Sequence, residues 1–273
     1  MAEEQKDKQD KEVEERSAPS GSIVYKTVCK EGSDELERST SALAWSGLAA
    51  GLSMGFSFAG QGLLHSHLPN ESWRPLLVNF GYSLGFLIVV LGRQQLFTEN
   101  TLTVILPLLT RRDGSTLRNV LRLWATVFLA NMAGALLFAL AMARTEAFQE
   151  DVYRSLLELG TEMLKGTFAV TLLRGIYAGW LIALMVWLLP FAETARVWVI
   201  IIITWLVGAA HFSHVIAGAV EAMFVAAAGR AGWGEVVMGF IVPSLIGNII
   251  GGVSLVAAIN HAQVVAGGDG EDV

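Results

Sequence analysis

Six polar side chains with chemical potential stand inside stretches of the chain that are otherwise apolar. Arg93, Thr98 and Glu99 interrupt the run from about Leu76 to Leu109; His211, His214 and Glu221 interrupt the run from about Val197 to Ala228. Ionisable groups in an apolar span are costly and normally face a partner or water. Imidazole titrates near neutrality, so His214 can give or take a proton across physiological pH. Beside a greasy constriction it could protonate an arriving anion or stabilise its charge, since a weak acid crosses more easily when neutral. The plainer alternative is a neutral imidazole hydrogen-bonded to a facing Thr98, serving only to close a loop. Thr98 offers a hydroxyl that could set the tautomer of His214, or cap the half-helix that begins near Thr101. His211, three residues away, is a secondary candidate. Glu221 lies two helical turns beyond His214 on about the same face. The spacing suggests an Arg93–Glu221 or Arg93–Glu99 pair, tying the two stretches together rather than touching substrate. A carboxylate in a pore repels anions unless it is paired or protonated, so Glu99 sits awkwardly in an anion pathway. Lys165, where a loop enters a later apolar span, could concentrate anions at a pore mouth or merely snorkel to the interface.

The elements that would position these groups are membrane helices. About twenty predominantly apolar residues cross the hydrocarbon as a helix, and six crossings are predicted at about 40–63, 75–110, 117–143, 167–190, 196–228 and 238–263. The second and fifth are too long for plain spans. Each contains a polar break, Leu96-Phe97-Thr98-Glu99-Asn100-Thr101 in one and His211-Phe212-Ser213-His214 in the other. A lipid-exposed helix cannot open its backbone in hydrocarbon, because the freed groups find no water. Two breaks at that depth predict protein-lined polar space near the midplane, where transporters place their sites between repeats. Gly47, Gly51 and Gly55 on the first span, and Gly247 and Gly251 on the last, have helix-packing spacing, within a protomer or between protomers. Trp73, Trp124 and Trp233 fall near predicted interfaces.

Residues 1–38 are rich in charge and poor in apolar groups, and read as a solvated, disordered cytoplasmic tail; 39–264 form one membrane domain, and 265–273 a short polar tail. No short apolar core follows the first methionine as a signal peptide requires. The loop with Arg111, Arg112, Arg118 and Arg122 should be cytoplasmic, which with six spans puts both termini inside. The net charge of −6 carries no basic stripe for nucleic acid. One cysteine, Cys29, allows neither an internal disulfide nor a cysteine-based metal site. No P-loop, metal-ligand spacing or nucleophile–base pair is present, so no enzyme activity, cofactor or metal is expected.

Several segments in order resemble the formate/nitrite transporter family. They are YSLG at Tyr82 leading to Leu96-Phe97-Thr98; NMAGAL from Asn131; GIYAGWLIALMVW from Gly175; Phe212-Ser213-His214; and PSLIGNIIGG from Pro243. The resemblance covers about residues 37–263. It implies an all-α membrane protein of six helices, two of them interrupted, in inverted aquaporin-like halves. It also implies a homopentamer in the lipid of a cytoplasmic (inner) membrane, with a pore through each protomer for a small monovalent anion or its conjugate acid. By that resemblance Leu96 matches a constriction leucine, Thr98 a loop threonine and His214 the central pore histidine. Tyr82 and Phe86 match bulky pore-lining residues, Val207 a constriction position and Lys165 a vestibule lysine. The chain departs from the family pattern at Ser213, where an acid is common, at Gly179 and Gly218, where asparagines are common, and at Glu99, where the loop usually has small residues. The first expectation is a channel-like transporter of such an anion, proton-linked through His214. The alternatives are a neutral-solute or water channel of the same architecture, and a closed-pore structural or interaction protein.

Overall fold

The computed structural model describes residues 19–266, all helix and connecting loop. The helices are α1 (Gly21–Glu37), α2 (Thr40–His67), α3 (Arg74–Leu91), α4 (Asn100–Thr103), α5 (Ile105–Arg111), α6 (Gly114–Arg144), α7 (Glu150–Met163), α8 (Phe168–Leu188), α9 (Arg196–Ala209), α10 (Val215–Ala227) and α11 (Trp233–Ala266). Five of them, α2, α3, α6, α8 and α11, are long and apolar enough to cross a membrane. The remaining expected crossing falls on α9 and α10, two half-helices separated by a break. The other break separates α3 from α4 and α5.

Local chemistry sets the ends. Side chains of Ser39, Asp113 and Thr167 accept from amides in the first turns of α2, α6 and α8, satisfying donors that a helix start leaves free. Pro243 cannot donate to the turn before it, and the preceding stretch Val236–Ile241 of α11 is wound as a π-helix. Large apolar side chains such as Trp45, Leu129, Leu173 and Trp198 stay exposed on the outer faces, as lipid-facing spans require.

Two repeats of one plan are visible in the hydrogen bonds. At the end of α3, Arg93 N donates to Val90 O (3.2 Å) and Gln94 N to Val89 O (2.9 Å); at the end of α9, His211 N donates to Gly208 O (3.0 Å) and Phe212 N to Val207 O (2.9 Å). Both are Schellman closures, 118 residues apart from Arg93 to His211. Both place a non-glycine residue in the left-handed region, Arg93 at φ 49° and His211 at φ 54°. A buried asparagine then clamps each break. Asn131 of α6 accepts from Phe97 N (2.9 Å) and donates to Gln95 O (2.9 Å) and Gly47 O (2.7 Å). Asn248 of α11 accepts from Val215 N (2.9 Å) and donates to Ser213 O (2.8 Å) and Gly175 O (2.8 Å). These bonds replace the helical ones that the breaks forgo. Close approach makes them possible: a Cβ on Gly51 would lie 2.2 Å from Asn131 O, and one on Gly179 2.3 Å from Asn248 O. The glycine spacing on α2 therefore serves packing within the protomer, against α6.

The stretch Gly21–Glu37, read from sequence as part of a solvated tail, is instead a packed helix. Its buried residues Tyr25, Val28, Gly32 and Leu36 recur at helical spacing. The Tyr25 hydroxyl meets Thr110 Oγ1 at 2.9 Å and His261 Nδ1 at 2.7 Å, joining α1 to α5 and α11. High average charge across residues 1–38 obscured this one apolar stripe. Residues 1–18 and 267–273 lie outside the described residues. Trp124, expected near an interface, is partly buried, and its indole donates to Asn100 O at 3.1 Å, supporting α4.

Candidate functional site

The two breaks face each other, and one hydrogen bond joins them: His214 Nε2 and Thr98 Oγ1 are 2.7 Å apart, both residues buried, with His214 1% exposed. Local folding fixes the imidazole. His214 is the N-cap of α10, and its Nδ1 accepts the amide of Ala217 at 3.1 Å. Because an N–H occupies Nδ1, that nitrogen carries no proton, and Nε2–H is the donor to Thr98. The arrangement is the loop-closing one weighed for this histidine, with its Nε2–H meeting Thr98 at the centre of the fold. Thr98 makes the predicted contact rather than capping a helix, although its carbonyl accepts from the Thr101 hydroxyl at 2.7 Å.

Apolar side chains close around this pair. The Phe86 ring lies 5.0 Å from the imidazole, edge to face, and Tyr82 lies 5.4 Å from Phe86. Leu96, Phe86 and Val207 are fully buried. By the repeat, Leu96 and His214 are equivalent, each between the two groups clamped by its asparagine. One break thus presents a leucine where the other presents the imidazole.

A cavity opens from each break. The first, about 130 Å³, takes in Val90, Arg93, Gln94, Gln95, Asn100 and Thr103. The second, about 430 Å³, takes in their six repeat counterparts, Gly208, His211, Phe212, Ser213, Gly218 and Glu221. Neither is lined by Leu96, Thr98, Phe86, Val207 or His214. The two vestibules are therefore one design used twice, on opposite sides of a sealed centre. Their chemistry differs. The first adds Glu99, Glu31 and Glu35, the last two brought by α1, together with Arg196. The second adds Arg174 and Arg74, the acids Glu71, Glu158 and Glu162, His65, and a pair of amides, Gln61 Nε2 donating to Asn79 Oδ1 at 2.9 Å.

Several sequence-based placements change. Arg93 pairs with neither Glu221 nor Glu99. It is 75% exposed, and its Nη1 lies 3.9 Å from Glu31 Oε1. Inversion of the repeat puts Arg93 and Glu221 in opposite vestibules, a relation that a helical-wheel comparison of two separate stretches misses. Glu221 is 8% exposed and has neither an ion pair nor a side-chain hydrogen bond among the described residues. Glu99 Oε1 is likewise buried without a partner. Lys165 is 66% exposed, bonds the Glu162 carboxylate and does not line the second vestibule. That hydrogen bond holds the Glu162 carboxyl below the usual carboxylate range. The cation that does line this vestibule from α8 is Arg174, which sequence reasoning missed. Its available signal was adjacency to Gly175, where Asn248 docks. His211 lines the same vestibule. Gly218, where the resemblance implies asparagine, is backed by Phe240: a Cβ there would lie 2.2 Å from the Phe240 ring. Among the described residues, no group of three or more His, Cys, Asp or Glu could hold a metal.

Comparisons with known proteins agree with this geometry. The formate/nitrite transporter family model matches residues 22–262. The inner membrane protein YfdC of Escherichia coli (strain K12) is 37% identical over 254 residues, 93% of this chain and 82% of its own. The formate channel BtFdhC of Bacillus thuringiensis is 25% identical over 85% of this chain and 91% of its own. Among solved structures, a pentameric formate channel with formate bound superposes with a TM-score of 0.71 at 21% identity, covering 83% of this chain and 98% of that one. An FNT family ion channel superposes at 0.78 and 15% identity, covering 88% and 98%. At these identities the structures establish the shared fold.

Proposed function

Because the chain belongs to the formate/nitrite transporter family, a family of channels and transporters rather than enzymes, we propose that it is a homopentameric inner-membrane channel passing a small monovalent anion, formate or nitrite in type, or its conjugate acid. The observation that carries this reading is the buried Thr98–His214 bond between two vestibules. Such a centre is too apolar for a hydrated ion and polar at one point. A solute oxygen that takes the place of Thr98 on the Nε2–H is oriented by that one donor, and the surrounding Leu96, Phe86 and Val207 favour the neutral form. Arg174 in the second vestibule draws anions toward it. The pentamer and the inner membrane follow the solved formate channel and the YfdC relative. In this proposal Arg111, Arg112, Arg118 and Arg122, around the junction of α5 and α6, face the cytoplasm, and the first vestibule and both termini lie on that side.

Proteoliposomes loaded with a pH-sensitive dye and challenged with formate, nitrite, acetate or hydrosulfide at several external pH values test the proposal. Uptake of at least one, faster than in protein-free vesicles and dependent on pH, is expected. Vesicles as tight as the protein-free control to the whole panel overturn it.

A further inference from the structure

The two vestibules match position for position in backbone but not in side chain, and one pair of counterparts sets a carboxyl against a hydroxyl. Thr103 in the first is an ordinary hydroxyl, bonded to Asn100 Oδ1 at 3.2 Å. Its counterpart in the second, Glu221, is a carboxyl more than nine-tenths buried, without a partner among the described residues, lining the larger cavity. Nothing in the packing uses it. It stands on α10 two turns from His214, so a solute bound to it still has the sealed centre ahead. Arg174 lines the same cavity and also has no ion-pair partner among the described residues.

We propose that Glu221 is the proton donor of the second vestibule, handing its proton to an arriving weak-acid anion before that anion meets the Thr98–His214 seal. This inference rests on the transport reading above. A buried carboxyl with no cation against it is expensive as an anion and rests as the neutral acid. Arg174 draws the anion into the same cavity. The Glu221 O–H bond then breaks as an O–H bond forms on the solute oxygen, and the solute continues as the neutral acid. Glu221 remains as a carboxylate, its charge now opposed by Arg174, until water in the open vestibule returns a proton. The step moves one proton and needs no other reactant. It also accounts for a carboxyl in an anion path, because a protonated carboxyl does not repel an anion.

Every ionisable group facing this cavity bears on the pH dependence. Besides Arg174 of α8, they are His65 of α2, Glu71 of the loop between α2 and α3, Arg74 and Tyr82 of α3, Glu158 and Glu162 of α7, and His211 of the second break. Arg74 Nη2 lies 2.7 Å from His65 Nδ1, which holds that nitrogen as an acceptor. Glu162 is held by Lys165. Glu221 is the buried carboxyl of the set, and it has no such partner among the described residues.

The test compares wild type with Glu221→Gln, which keeps the shape, in proteoliposomes given formate across a range of external pH. At acid pH the bulk supplies neutral acid, and both proteins should pass it. Where formate is ionised in bulk, the variant should fall about 100-fold behind, the low end of what a positioned proton donor supplies. A variant with the wild-type rate and pH profile overturns the proposal while leaving the transport reading intact; wild-type vesicles that pass none of the panel remove that reading and this one with it. A second measurement uses wild-type protein alone, so that it stands even where the variant does not assemble. An apolar carbodiimide, which attacks protonated carboxyls in low-dielectric sites, should modify Glu221, located by peptide mass mapping, and formate should slow that modification. Absence of modification at Glu221, or modification that formate does not slow, overturns the proposal.

Discussion

Replacing Asn131 or Asn248 by alanine measures what holds the breaks open. Each side chain makes three bonds, all to backbone groups: Phe97 N, Gln95 O and Gly47 O for Asn131, and Val215 N, Ser213 O and Gly175 O for Asn248. A buried backbone group stranded without a partner costs about 1–3 kcal/mol. Gln95 and Ser213 line the vestibules, so their carbonyls can regain water. Two stranded groups remain at each site, which puts the loss at about 2–6 kcal/mol per substitution. Ordinary interhelical side-chain bonds in membranes average only about 0.6 kcal/mol, because the unfolded chain in lipid finds other partners. The groups at a broken helix have fewer such partners, and the expected excess over that average is the signature of a clamp. SDS titration of the purified variants, followed by circular dichroism against wild type, gives the difference. The repeat further requires the two losses to agree within about 1 kcal/mol, comparable to the usual scatter of one hydrogen bond. Losses below about 1 kcal/mol at both sites, or a large loss at one and none at the other, would refute the clamp and its symmetry.

Other outcomes follow from particular contacts. Gly32→Val should detach α1, since even a Cβ there would lie 1.9 Å from Thr103 O; faster proteolysis within Gly21–Glu37, with α2 to α11 intact, is the check. His211→Gly should relieve a left-handed residue at φ 54° and stabilise the fold by about 1 kcal/mol in the same SDS titration. Arg174→Ala should slow anion uptake at low ionic strength several-fold, and high salt should narrow the gap, whereas Lys165→Ala, at an exposed pair with Glu162, should leave uptake near wild type. His214→Asn keeps a polar group but loses the Nε2–H that meets Thr98; it should leave the pentamer intact, as native mass measurement reports, while changing the rate of flux more than His211→Asn does.

The breaks were legible in the sequence because polar residues at membrane depth leave few structural options. The meeting of Thr98 with His214 was legible through the resemblance, which matches them to a loop threonine and the central pore histidine of the family. The pairing of Arg93 was not legible. It depends on the inverted relation of the halves, and the two halves share too few side chains for that relation to be read by eye. Val90 corresponds to Gly208, Gln94 to Phe212 and Thr103 to Glu221; the backbone bonds carry the symmetry, and they are invisible in a sequence. Arg174 was missed for a related reason, since its position is defined by docking of Asn248 one residue away rather than by a polar break. The helix Gly21–Glu37 was hidden by averaging: its apolar stripe is four residues wide within a strongly charged segment.

The same comparison of halves separates scaffold from chemistry. Residues that repeat in kind are the ones that hold the backbone: Asn131 with Asn248, Gly47 with Gly175, Gly51 with Gly179. Residues that repeat in place but differ in kind line the vestibules or the centre: Leu96 with His214, Arg93 with His211, Thr103 with Glu221. A symmetric scaffold alone would present the same surface to a solute from either side. In this protein the imidazole comes from one break only, and its hydroxyl partner from the other. Each vestibule holds a carboxyl without a side-chain partner among the described residues, Glu221 in the one that also holds Arg174 and Glu99 in the other, and the two are not repeat counterparts. Under the proposal, a solute entering there meets Arg174, the Glu221 carboxyl and then the Thr98–His214 bond in order. A solute entering from the α1 side meets Glu31, Glu35 and Glu99 with Arg93 and Arg196 before Leu96. The two halves therefore offer a solute different side chains from the two sides, on one backbone plan used twice, while the gradients across the membrane set the direction of net flux.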